Sequence, residues 1–410
     1  MTLGIEMFVP TREAALSRLA DFVPRAGRAY ADDRNFDHGP SRRTNISVLS
    51  PYVRHRLISE REVCAAVLAQ HSLPAAEKFI QEVLWRTYWK GWLELRPGVW
   101  SRYQAGLAQQ QELLARNGGL RRDYGAAVAG NTGIEGFDDW AQELLETGYL
   151  HNHARMWFAS IWIFTLRLPW ELGADFFYRH LLDGDPASNT LSWRWVAGLQ
   201  TKGKTYAASA DNIHKYTGGR FKPKGLAREA VALDEGTVEA ARLLAPSPEH
   251  FDGEAALLIT EDDYGAESLP VHWPKLRSIA VANLTDQRSD LPVSADVTAF
   301  GDGAARDTLT RLRTLALDSD VRPDPLLRIA AGDILPWLEK TGQRRLVVPA
   351  TSIGPASTAV DALTKALTKE GVEVVRPRRR WDTAAWPHAS RGFFAFKEQI
   401  PALLRAENLI

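Results

Sequence analysis

The sequence predicts two folded units in series: an all-helical unit over residues 1–245, then an α/β unit with a mostly parallel sheet over 255–410. Three observations carry this reading. The first half repeats apolar residues at helical spacing and has almost no strand-type runs. Short apolar runs separated by helical segments begin only after residue 250. Between the two textures lies APSPEH, a proline-containing polar stretch at 245–250. With 410 residues, 45% hydrophobic and 24% charged, the chain has room and ordinary composition for two or three domains.

The elements follow in order. REAALSRLADFV (12–23) alternates apolar and charged residues at helical spacing. Ser59 with Glu62 three residues on is a capping box, so a helix should start at Glu60. Residues 75–95 read as a long aromatic helix stopped by Pro97-Gly98, and helices over 137–145, 151–168 and 175–182 follow. In the second unit ALLIT (256–260), SIAVANL (278–284), RLVVPA (345–350) and VEVV (372–375) read as strands. TLTRLRTLAL and TAVDALTKALTKE are the intervening helices, a βαβ layout.

Composition also excludes. The single cysteine, Cys64, rules out an internal disulfide framework and any four-cysteine metal or iron–sulfur site, so no metal is expected. The N-terminal stretch carries Glu6 and Glu13 and no sustained apolar run, unlike a secretory signal. WFASIWIFTLRLPW (157–170) is the most apolar segment, but Arg167 and Pro169 end it short of a membrane span. A cytoplasmic protein with no membrane partner is expected. The net charge of +0 is not a nucleic-acid signature, so DNA binding would have to rest on a local patch.

Residues 147–195 hold the most informative constellation. Asn152, Arg155 and Met156 on one helix precede an Asp183-Gly184-Asp185 loop, then Asn189, Trp193 and Trp195. Ten of the 14 tryptophans lie between Trp85 and Trp195. Any one of them is most simply core packing. Buried charges, however, need partners, and two Asp, an Asn and a Gly in one short loop exceed what a lone salt bridge to Arg155 requires. Acidic, amide and guanidinium groups among tryptophans suit a large, polar, aromatic cofactor.

The order of these residues resembles the FAD-binding domain of the DNA photolyase/cryptochrome family. NISVLSPYVRHRLISE adds Ser47, Leu49 and Ser50, similar to that family's TSxLSP segment, which cradles the FAD phosphates; Ile46 stands for the usual threonine, with Thr44 nearby. EVLWRTYW supplies Glu82, Trp85 and Arg86. The resemblance implies a cofactor set of Ser47, Leu49, Ser50, Arg86, Asn152, Arg155, Asp183, Asp185 and Asn189, the last facing flavin N5. It implies that Glu82, Trp85, Met156 and Trp195 line the cavity for a flipped dimer. It places Trp193 nearest the flavin and Trp170 next in an electron-transfer chain; the third tryptophan has no match, its place falling near Asn117, so the chain is shortened or rerouted. Glu82, Asn189, Trp193 and Trp170 are thus the implied catalytic residues. The plain alternatives are an i,i+4 surface pair for Glu82 and Arg86 and a partly exposed helix face for His151 and His153.

The (6-4)-repairing branch has His at the places matched by Asn152 and Met156, so the implied type is the cyclobutane-dimer one. Arg194 replaces the usual Gln between the tryptophans. TKGKTYAASADNIHKYTGGRF (201–221) is similar to the ending of the bacterial cryptochrome and iron–sulfur photolyase branch, without its four cluster cysteines. Lys202, Lys204, His214, Lys215 and Arg220 are candidate phosphate contacts or a solvated loop. Residues 255–400 are similar in segment order to the family's antenna domain, which normally comes first; a circular permutation is expected, with an unrelated Rossmann-like module as the alternative. The implied function is a flavin-dependent cyclobutane pyrimidine dimer photolyase acting on dimer-containing DNA, with FAD and an antenna chromophore of unspecified identity. The alternative is a cryptochrome-like blue-light receptor with a signalling partner.

Overall fold

The structure is a computed structural model describing residues 7–315 and 330–410. The helical unit runs α1 (Arg12–Phe22), α2 (Arg28–Asp33), α3 (Ser50–Arg54), α4 (Glu60–Leu68), α5 (Leu73–Glu94), α6 (Pro97–Arg116), α7 (Gly118–Val128), α8 (Phe137–Thr147), α9 (Asn152–Ser160), α10 (Trp170–His180), α11 (Pro186–Val196) and α12 (Ala210–Tyr216). The expected capping box is formed: Ser59 accepts from the Glu62 N–H and the Glu62 side chain accepts from the Ser59 N–H. The long aromatic helix stops ahead of Pro97-Gly98, as expected, but the proline does more than end it. α5 ends at Glu94 and Pro97 opens α6, because a proline at the first helical position gives up an N–H that has no partner there anyway. The expected 151–168 helix is shorter, ending in a π turn over Ile161–Thr165 that carries Trp162.

From 217 to 250 the chain forms no regular element and lies across the helices, donating from Leu233 to the Ala197 carbonyl and from Arg242 to that of Leu95. The α/β unit then contains β1 (Ala255–Ile259), β2 (Leu276–Val281), α13 (Ala295–Leu315), α14 (Ala331–Thr341), β3 (Arg345–Val347), α15 (Pro355–Lys369), β4 (Glu373–Val375), α16 (Arg380–Ala385), α17 (Phe393–Lys397) and α18 (Ile400–Ala406). The last two residues of the expected TLTRLRTLAL helix lie outside the described residues. The four strands pair in parallel in the order β2-β1-β3-β4. β1 is buried along its whole length because both faces of the sheet are covered there, whereas β2 and β4 carry the exposed Arg277 and Glu373. Ala256, Leu258, Ala280 and Leu346 meet α14 and α15, whereas Leu257, Ile259, Ile279 and Val347 join the core of the helical unit.

The two units therefore share one core. Phe300 of α13 meets Tyr52 at 5.9 Å and His55 at 5.8 Å. On the other side the C-terminal segments lie along α5, where Gly91 is required: a Cβ there would stand 2.9 Å from the Trp386 Cα. Buried ion pairs complete the junction. Arg54 meets Asp262 at 2.7 Å, and Arg56 meets Asp382 at 2.6 Å. Among the described residues no helix is long and apolar enough to cross a membrane.

Two buried histidines make this fold sensitive to acid. Burial, with Arg54 and Arg288 close by, holds His55 well below the usual imidazole range; its Nδ1 donates to the Glu261 carbonyl. Burial lowers His151 to about 4; its Nε2 donates to the Arg34 carbonyl and its Nδ1 accepts from the His153 N–H. Both fold neutral. As pH falls below about 6.5 the unfolded chain takes up these protons first, so stability is fully present above that value. It is lost on acidification at about 1.4 kcal/mol per pH unit per histidine. The melting temperature should fall steadily from about pH 7 to about pH 5, and His151→Gln should flatten the slope. A melting temperature constant over that span would mean that neither histidine is held neutral.

Candidate functional site

Two cavities of about 330 and 410 Å³ open into one another inside the helical unit. Ser50, Glu82, Arg86, Asn152, Arg155, Met156 and Asp183 line both, so together they form one bent space. Ser47 and Leu49 line the first cavity; Trp85, Asp185, Asn189, Trp193 and Trp195 line the second. Of the residues that the resemblance assigns to the cofactor, the lesion or catalysis, Trp170 alone lines neither and faces a separate groove. Thr44, close in sequence to the expected phosphate loop, also faces another groove.

The Ser47–Ser50 wall is held by an unusual backbone. Val48 has φ +52°, a left-handed conformation that a β-branched residue adopts only under constraint. Ser50 opens α3 and its Oγ donates to Asp183 Oδ2 at 2.5 Å. The same carboxylate takes a two-point contact from Arg155, at 3.1 and 2.8 Å. Asp185 is the N-cap of α11, accepting from the Ser188 N–H at 2.7 Å, and lies 3.2 Å from Arg86. Burial alone would raise the Asp185 carboxyl, but Arg86, Arg54 and Lys90 hold it well below the usual carboxylate range.

Glu82 and Arg86 do not form the i,i+4 pair that their spacing allows. Arg86 turns to Glu60, at 3.2 Å, and to Asp185. Glu82 is exposed by area, yet it faces the interior of the cavity, and the protein packed around it raises its carboxyl. Asn152 and Ser192 are exposed in the same way, and Ser192 was not singled out in the sequence. Asn189 donates through Nδ2 to the Ala174 carbonyl at 2.8 Å, which leaves its Oδ1 for a ligand. His151 and His153 serve the backbone: the first caps α9 and the second bonds the Asn35 carbonyl at 3.0 Å.

The tryptophans divide by environment. Trp85 stacks on Phe393 of α17, with ring centroids 3.6 Å apart and planes 10° apart. Phe393 does not line the cavity, so it backs Trp85 from behind. Trp195 is backed by Tyr206 at 5.6 Å. Neither backing ring was recognised in the sequence, because both partners come from segments with no helical or strand periodicity shared with α5 or α11. Trp193 is buried with its Nε1 unpartnered, against Phe177 at 5.1 Å and Trp162 at 6.2 Å. Trp170 meets Tyr103 at 5.5 Å instead. Arg194 points away from the cavity, fully buried and paired with Glu235. Lys202, Lys204, His214 and Lys215 are exposed, whereas Arg220 is engaged by Asp37 at 2.8 Å.

The helical unit thus holds a charge-lined cavity walled by paired arginines and tryptophans. The family profile described as the FAD binding domain of DNA photolyase matches residues 79–225. The chain is 32% identical over 228 residues to a deoxyribodipyrimidine photo-lyase of Thermus thermophilus, covering 54% of this chain and 50% of that one. It is 30% identical over 211 residues to the same-named protein of Alkalihalophilus pseudofirmus, covering 47% and 39%. Through this unit the chain is similar to the DNA photolyase/cryptochrome family. It spans about half or less of the length of these relatives. Among solved structures it is similar to a class III photolyase from Agrobacterium tumefaciens (26% identity, TM-score 0.44, 52% of this chain and 44% of that one). It is also similar to a Synechocystis cryptochrome (24%, TM-score 0.41, 50% and 43%).

If the two carboxylates organise the pocket, the doubly substituted Asp183→Ala, Asp185→Ala protein should purify without FAD. The substitutions strip the partners from Arg155 and Arg86 together. Flavin released on denaturation and read by absorbance checks this, and full occupancy in the double variant would contradict it.

Proposed function

We propose that this protein is a light-dependent flavoprotein that splits cyclobutane pyrimidine dimers in DNA, with FAD in the joined cavities. One observation carries the reading: residues suited to a flavin (Asp183, Asp185, Asn189, Trp193) and residues suited to a flipped dimer (Glu82, Trp85, Met156, Trp195) line adjoining cavities. The chain's own chemistry fits FAD. Arg86 and Arg155 bring positive charge to the walls, Asn189 keeps an acceptor, and the Trp193 Nε1–H is buried without a partner. Bound there, FAD supplies the light-driven electron that opens the dimer and takes it back.

The protein's share is positioning. The Glu82 carboxyl, raised by burial, is able to donate a hydrogen bond to a base carbonyl when neutral. Trp85 and Trp195 offer flat faces that Phe393 and Tyr206 hold in place, a stacking platform for extruded bases. The α/β unit, 255–410, belongs to the same proposal as a relocated antenna-like domain following the helical one. The second reading, a blue-light receptor without repair, is favoured by the net charge of +0. Arg194, in place of the usual Gln, does not bear on the choice, since it is buried and lines neither cavity.

Illumination of the reduced, FAD-loaded protein with a dimer-containing oligonucleotide tests the choice. Dimer loss that requires light is expected; its absence, together with no preference for damaged over undamaged DNA, selects the receptor. Trp85→Ala or Trp195→Ala should weaken damaged-DNA binding by about tenfold or more, because base–aromatic stacking contributes about 1–3 kcal/mol per base. Binding of undamaged DNA should change little, as it would rest on phosphate contacts from lysines such as Lys202 and Lys204.

The tryptophan order has its own test. Trp193→Phe should greatly slow light-driven reduction of the flavin while leaving it bound. Because Trp162 touches Trp193 and Trp170 meets Tyr103, Trp162→Phe should slow it more than Trp170→Phe. Steady-state absorbance under blue light reads both; the opposite ranking would place Trp170 next to Trp193 in the chain.

A further inference from the structure

The 183–185 loop, whose two carboxylates face the cavity, is gripped from behind by arginines that the proposed chemistry does not use. Arg54 donates from Nε to the Gly184 carbonyl at 2.8 Å and from Nη1 to Asp262 at 2.7 Å, and it is 2% exposed. Arg288, also buried, donates to the Leu181 carbonyl at 3.0 Å. Its Nη1 sits so close to Gly184 that a Cβ there would approach it to 2.7 Å. Asp262 lies just beyond the C-terminal end of β1. Its second oxygen accepts from the Ser352 N–H, just beyond β3, at 3.0 Å.

The crevice beyond the C-terminal ends of β1 and β3 is where the strand order departs in two directions, the usual ligand position in an open parallel sheet. Here it is filled by a guanidinium from the helical unit. The geometry points to a positioning role for the α/β unit: through Asp262 and Arg288 it acts as a clamp that sets the cofactor loop, with Arg54 as the connecting piece. Arg54 is suited to this because one planar fork reaches a carbonyl and a carboxylate in different directions at once. A lysine in its place keeps the charge for Asp262 but cannot hold both. The clamp rests on the reading of the cavity as the FAD site, since only a ligand in contact with Asp183 and Asp185 would register a shift of the loop.

Arg54→Lys in the full chain tests it, with Arg379→Lys as the comparison. Arg379 grips Asp263, next to Asp262, at 2.6 and 2.7 Å but makes no bond to the 181–185 segment. Arg54→Lys should raise the dissociation constant for FAD by about tenfold or more, as expected when a buried charge-assisted hydrogen bond is lost. It should also alter the visible circular dichroism of the bound flavin. Arg379→Lys should lower the melting temperature without either effect. If Arg54→Lys does not fold, Arg288→Lys replaces it, with the same expectation. Equal FAD affinity and equal flavin dichroism in the loop-side and comparison variants would overturn the clamp. A wild-type protein that binds no FAD would instead overturn the reading of the cavity.

Discussion

Everything in this molecule turns on how the Asp183-Gly184-Asp185 loop is kept buried. Two carboxylates and their neighbouring carbonyls cannot leave water without partners, and an unmatched buried charge costs several kcal/mol. Four arginines meet the need. Arg155 takes Asp183, Arg86 takes Asp185, and Arg54 and Arg288 take the Gly184 and Leu181 carbonyls. They come from α9, α5, α3 and the segment before α13, so matching one loop fixes four parts of the chain relative to each other. The cavity is what remains between them.

The network does not stop at the loop. Arg86 also meets Glu60, Glu60 lies 3.5 Å from Arg56, and Arg56 reaches Asp263 and Asp382. Charge therefore runs without interruption from the cavity wall into the α/β unit, parallel to the shared hydrophobic core. Such a chain contributes modestly to stability once desolvation is counted, but removing any member strands a buried charge. Its main consequence is geometric. The helical unit and the α/β unit meet in one arrangement only, the one that pairs every member.

The legible part of the fold was what local pattern encodes. The strands are readable as short apolar runs, unbroken in β1 where both faces of the sheet are covered, and the helix after Ser59 because its cap is local. Pro97, read only as a stop, is also the first residue of the next helix. At the site, the residues carried by the resemblance lie on helices and loops whose spacing is local, and the structure gathers all of them except Trp170 around one space. Their partners were out of reach. Arg54 and Asp262 are 208 residues apart, Arg56 and Asp382 326, and no periodicity links such positions. The choice of Glu60 over Glu82 as the partner of Arg86 is likewise tertiary, since spacing alone favours the latter.

A net charge of zero weighs against a polyanionic partner only as a sum over the whole chain. Phosphates respond to the field within about one Debye length, roughly 8–10 Å, not to a sum over the whole surface. Much of the acidic charge is spent internally: Asp183, Asp185, Glu60, Asp262, Asp263 and Asp382 are all buried against arginines. Those pairs cancel inside the protein, and they contribute nothing to the outer face. Lys202, Lys204 and Lys215 stay exposed on the stretch that follows Trp195. Exposed lysines on that stretch are compatible with overall neutrality, because a phosphate senses the charges near it and not the sum over the chain.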